Sequence, residues 1–180
     1  METVEEQRSS TFDKVLRQVS AGLGIIAASA LVVLMMATVI DVVVRAISRA
    51  SVPGMMELAE SALVVSVFLG LAWTSIQGGH VAVSIVTDRL NAKAARVVSS
   101  LVWMLNATLL IWMTYASFLR AVLATKMNET RFGLVQWPMW PMRWVIAVGL
   151  LLWAVVAVVN LVRSVTGKSI YGEEEAVLDV

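Results

Sequence analysis

The side chains able to do chemistry in this chain are few, and they gather at the ends of apolar runs. Arg45 and Arg49 follow the first run, and Glu57 and Glu60 open the second. Acids three residues apart share one face of a helix. Across a short turn from two arginines they either pin a helical hairpin or bind an ion or substrate, and pinning is the favoured reading. His80 lies in Gln77-Gly78-Gly79-His80-Val81-Ala82-Val83, just past the second run. Imidazole carries protons near neutral pH and ligates metals. Yet it is the only histidine, and there is no cysteine. Within one chain, bis-histidine haem, multi-histidine metal sites, thiolate sites, iron–sulfur clusters and disulfides therefore cannot be assembled. No hydrolase motif, P-loop or dinucleotide fingerprint is present. The chain reads as no enzyme, and His80 as a hydrogen-bonded turn residue.

The elements that position these groups follow from the runs themselves. Residues 19–40, 61–79, 97–119 and 144–162 contain no charged side chain. A helix rises about 1.5 Å per residue, so roughly 20 apolar residues cross a hydrocarbon core of about 30 Å. The apolar positions are continuous where a strand would alternate, which rules out a barrel. Hydrophobic residues make up 59% of the 180, mean hydropathy is +0.81, and soluble domains hold roughly 45–50%. The expected fold is an all-α membrane protein in one domain, with four transmembrane helices at 19–47, 54–79, 97–122 and 138–163. Residues 81–96, mixed in polarity, read as an amphipathic cytoplasmic segment between helices 2 and 3. Residues 164–180 form an acidic tail. A net charge of +1 gives no reason to expect nucleic acid.

Residues 1–18 carry Phe12, Val15, Leu16 and Val19 at i, i+3, i+4 and i+7, an amphipathic helix. It either lies on the membrane surface or a partner, or simply extends helix 1 into the headgroups; the second reading is slightly favoured. Ala28-Ser29-Ala30 has the small-x-small form of a signal cleavage site. The acidic head and the Gly- and Ala-rich core before it fit a signal peptide badly, and a retained helix is expected. Of the 14 Lys and Arg, Arg8, Lys14, Arg17, Arg89, Lys93, Arg96, Arg163 and Lys168 fall on the side of the termini. Arg45, Arg49, Arg120, Lys126, Arg131 and Arg143 fall on the other. The excess favours cytoplasmic termini.

Helix 1 closes with Asp41 four residues before Arg45, the order that favours an ion pair. Asn106, inside helix 3 between Trp103 and Trp112, is expected to hydrogen-bond another helix. Arg131 and Arg143 flank Gln136-Trp137-Pro138-Met139-Trp140-Pro141, where Trp137 and Trp140 read as an interfacial belt and the prolines as rigid starts to a helix.

Several of these residues resemble the small DctQ-like membrane subunit of tripartite ATP-independent periplasmic (TRAP) transporters. The features that match are Arg45 with Glu57-Leu58, Gly70-Leu71-Ala72, Gly79-His80-Val81 with Asp88 and Leu90, and Glu129-Thr130 with Pro138, Trp140 and Pro141 ahead of Gly149. The resemblance implies a non-enzymatic subunit of a bacterial inner-membrane symporter. Its partners would be a large membrane subunit, a periplasmic substrate-binding protein and the membrane lipids. Organic acids would be imported with sodium bound on the large subunit, and this chain would hold no cofactor. Two other classes remain: a small homo-oligomeric channel or exporter, and an electron-transfer subunit, which the single histidine disfavours.

Overall fold

The computed structural model describes residues 2–76, 92–131 and 135–166. Four long helices carry the chain: α1 (Glu2–Ser48), α2 (Met55–Ile76), α3 (Ala92–Lys126) and α4 (Trp140–Thr166). Each includes a stretch long and apolar enough to cross a membrane: Ala21–Ser48, Met55–Ser75, Val97–Lys126 and Trp140–Thr166. Between α3 and α4, β1 (Thr130–Arg131) pairs antiparallel with β2 (Trp137–Pro138), with Arg131 opposite Trp137. Gly78-Gly79, His80 and most of the expected surface segment lie outside the described residues.

α1 runs unbroken from Glu2 with no proline to interrupt it, so residues 2–18 extend helix 1, the favoured of the two readings. Two boundaries depart from the expected ones. Helix 3 starts at Ala92, where Ala92, Lys93, Ala94 and Ala95 are strong helix formers. Helix 4 starts at Trp140, because Trp137 and Pro138 are held in the ribbon. A two-stranded ribbon has free edges, so the missing N–H of Pro138 costs no ladder bond.

The helix ends have local causes. Arg49 takes φ 57 and its N–H reaches the Arg45 carbonyl at 3.0 Å, the single bond of a left-handed C-terminal cap. α3 ends in a Schellman turn. Asn128, at φ 46, donates to Thr125 at 3.3 Å, and Glu129 donates to Ala124 at 2.9 Å. Asparagine tolerates this backbone better than most side chains. Both reversals therefore sit at the same end of the molecule, called here the turn end.

The helices stand in a row and do not close a bundle. α1 packs on α2, α2 on α4, and α4 on α3. Burial follows this order: 11% of the apolar stretch is buried in α1 and in α3, against 28% in α2 and 39% in α4. In lipid, helices gain little by hiding apolar surface from one another, so small residues that permit close approach decide which faces meet. α4 uses two such faces. Leu150, Ala154 and Ala157 form a cluster with Ala107 and Leu110 of α3. On the other side, a Cβ at Gly149 would lie 2.7 Å from the Phe68 carbonyl oxygen of α2. Likewise a Cβ at Gly24 of α1 would come within 2.9 Å of the Trp73 ring of α2.

Gly149→Ala is expected to force α2 and α4 apart and to lower the stability of the protein in micelles by about 1–3 kcal/mol. Gly22 has nothing within 4 Å of its missing side chain, so Gly22→Ala is expected to be neutral or to stabilise by up to about 1 kcal/mol. Denaturant titration of the two variants side by side makes the comparison.

Candidate functional site: the polar clasp at the turn end

Three ion pairs between described residues lie at the turn end. The first is centred on Asp41. Its carboxylate pairs with Arg45, accepts a hydrogen bond from the Ser51 hydroxyl, and accepts another from the Val52 N–H at 3.0 Å. Arg45 also donates to Ser51 at 3.2 Å. One acid thus ties the last turns of α1 to the loop that follows.

The expected pairing of Arg45 or Arg49 with Glu57 or Glu60 does not form. Asp41 is one turn from Arg45 on the same helix, so the contact requires no loop closure. Arg49 is exposed and serves as the backbone cap, and Glu57 is half-buried in the first turn of α2. The Glu57 carbonyl accepts the Ser61 hydroxyl at 2.8 Å.

Glu60 is claimed from the other direction. Arg131, on β1, forms an ion pair with it. Trp137, opposite Arg131 in the ribbon, donates its indole N–H to the Ser61 hydroxyl at 3.0 Å. Glu60 and Ser61 are consecutive on α2, so the two strands of the ribbon grip adjacent residues of one helix. The loop joining α3 to α4 thereby clasps α2, and the two helical hairpins become one unit. Both partners of the Arg131–Glu60 pair are about 40% exposed, so the ion pair contributes roughly 0–1 kcal/mol.

The clasp has its own support. Glu129, placed by the Schellman turn, binds the Arg143 guanidinium at 2.6 Å and accepts the Met139 N–H at 2.9 Å. Trp144 donates to Thr125 at 2.9 Å and meets Phe118 edge-on with ring centres 5.6 Å apart. Trp140 is 38% exposed at the first residue of α4, the position of an interfacial aromatic. Arg120 and Arg143, with Ala116, Ser117 and Ile146, line an open cleft of about 180 Å³ between α3 and α4.

The other sequence-derived residues fall elsewhere. Asn106 is half-buried and makes no hydrogen bond to a described residue, so its expected interhelical bond is absent. The fully buried amide is Asn160 of α4. Near it, Ser164 bonds the hydroxyls of Ser100 at 3.1 Å and Ser99 at 3.2 Å on α3. The sequence does carry signals for these groups: one amide in the last turns of an apolar run, and a serine pair at the start of another. The spacing argument found the Asp41–Arg45 pair but missed Ser51 and the Val52 N–H as further partners of Asp41, and Ser61 as an indole acceptor.

A row of membrane-spanning helices, whose polar side chains are used on its own turns and seams, defines a small multi-pass membrane protein built for packing. Residues 34–167 match the family described as tripartite ATP-independent periplasmic transporters, DctQ component. The chain belongs to that family and is the small membrane subunit of a TRAP transporter. Comparison with curated proteins gave no match. The family match begins inside α1 and takes in the clasp and all of α4.

Reversing either partner of the clasp, by Glu60→Lys or Arg131→Glu, is expected to cost up to about 1 kcal/mol of stability. The double reversal should regain most of the loss. Trp137→Phe keeps the ring and removes the N–H, and is expected to cost about 0.5–1.5 kcal/mol. Thermal unfolding of the four variants in one detergent reads both effects. Additive losses in the double reversal would show that Arg131 and Glu60 do not interact.

Proposed function

We propose that this subunit braces the large membrane subunit of a sodium-coupled, binding-protein-dependent importer of organic acids. Its turn end faces the periplasm and widens the surface on which the binding protein docks. The observation that carries this reading is the open row of helices: α1 and α3 are buried over only 11% of their apolar stretches, which leaves broad faces for a larger membrane partner. Sodium and substrate belong to that partner, and this chain holds no cofactor and performs no catalytic step. The protein sits in the bacterial inner membrane with both termini in the cytoplasm, in line with the Lys and Arg distribution.

Topology is testable because the chain has no cysteine. A single cysteine at Ser51 or Asn128 is expected to react with an impermeant maleimide in intact spheroplasts, and one at Ser169 only after lysis. The opposite labelling would invert the orientation. For function, proteoliposomes holding the large subunit, this subunit and the binding protein are expected to take up a labelled organic acid on a sodium gradient. Omitting this subunit should abolish uptake. Uptake or ion flux by this chain alone would overturn the bracing role in favour of a self-sufficient channel or exporter.

A further inference from the structure

The cleft between α3 and α4 at the turn end is built for something other than the clasp. Arg120 and Arg143 both line it. Arg143 spends its Nη2 on Glu129, while its Nε is buried and has no hydrogen-bond partner among the described residues. Arg120 is exposed and makes no ion pair or hydrogen bond with a described residue. Two guanidinium groups and one carboxylate leave the cleft with a positive charge in excess, and the N–H donors of the exposed Arg120 remain for an anion.

Its depth and surroundings narrow the choice of anion. Arg120 lies six residues before the last residue of α3, Lys126, or roughly 9 Å along the axis. The span Val97–Lys126 has 30 residues, roughly 45 Å against a hydrocarbon core of about 30 Å, so centring it in the bilayer puts Arg120 near the boundary between hydrocarbon and headgroup. Trp144, hydrogen-bonded to Thr125, supplies an interfacial aromatic beside it. From Arg120 away from the turn end, Ala116, Met113 and Leu109 continue the same face of α3 at helical spacing, with Trp112 beside them. Leu109, Trp112 and Met113 are exposed by 49%, 70% and 41%. An apolar track therefore leads out of a cationic pocket at headgroup depth.

We infer that this cleft binds an anionic phospholipid, with the headgroup phosphate between Arg120 and Arg143 and an acyl chain along Leu109, Trp112 and Met113 of α3. Guanidinium is the side chain best matched to phosphate oxygens, because its N–H groups form a planar fork. A lipid phosphate would also relieve Arg120, whose charge has no partner among the described residues.

The test uses the full chain, delipidated in neutral detergent and followed by native mass spectrometry and thermal unfolding. Dioleoylphosphatidylglycerol is expected to give a discrete one-lipid adduct and a rise in unfolding temperature, and dioleoylphosphatidylcholine a smaller one. Inorganic phosphate at millimolar concentration should give neither and should not displace the lipid. Arg120→Gln, which breaks no ion pair, should weaken the phosphatidylglycerol adduct at least threefold while leaving the lipid-free protein equally stable. Trp112→Ala should weaken lipid retention without creating a response to phosphate. Equal adduct formation by wild type and Arg120→Gln would overturn the proposal. So would saturation by inorganic phosphate, which would assign the cleft to a soluble anion.

Discussion

The structure depends on a constraint set by the bilayer: apolar faces have no reason to prefer one another over lipid. What brings helices together is close van der Waals approach where side chains are small, together with hydrogen bonds between groups that lipid cannot satisfy. Gly149 against Phe68 and Gly24 against Trp73 are such approaches. They fix α2 as the helix touched by both α1 and α4, and so place the four helices in a row. A closed bundle would need α1 to meet α3. The contacts that define the fold are instead α1 with α2, α2 with α4, and α4 with α3.

Small-residue contacts alone would leave two helical hairpins leaning on one another along a single seam. The clasp adds a direction that the seam lacks. Because Arg131 and Trp137 grip consecutive residues of α2, the turn end of one hairpin cannot slide or rotate on the other without breaking both contacts. The ion pair is half-exposed and weak on its own. Its value lies in geometry, since the ribbon that presents it is anchored at both ends: by the Schellman turn at Asn128 and Glu129, and by the Glu129–Arg143 pair at the start of α4. Asp41 performs the same service within the first hairpin, and uses a single carboxylate to do so.

How much of this could be read from the sequence follows the same physics. Four spans were legible because hydrocarbon thickness imposes a length and forbids charge, and those requirements are written residue by residue. The Asp41–Arg45 pair was legible because both residues lie one turn apart on one helix. The partner of Glu60 was not. Arg131 is 71 positions away in the chain, and Arg45 and Arg49 were nearer by sequence and equally charged; only the order of helices brings the ribbon to α2. That order is encoded in which glycines and alanines face inward, and in spans that are apolar all round such residues carry no visible period. Asn106 and Asn160 make the same point. Both are lone amides in apolar runs, but only Asn160 lies on the helix buried from two sides.

The described contacts hold the row at several heights along the helices. At the turn end the hairpins are joined by Arg131–Glu60 and Trp137–Ser61, and near mid-height by Gly149 against Phe68. At the opposite end, the bonds from Ser164 to Ser99 and Ser100 stay within the α3–α4 pair. Hydroxyl pairs of this kind are individually worth about 1 kcal/mol or less in a membrane. A small subunit of this design presents a fixed set of loops at one face while its outer helices offer long apolar flanks. Those are properties that the proposed bracing of a larger membrane neighbour would draw on.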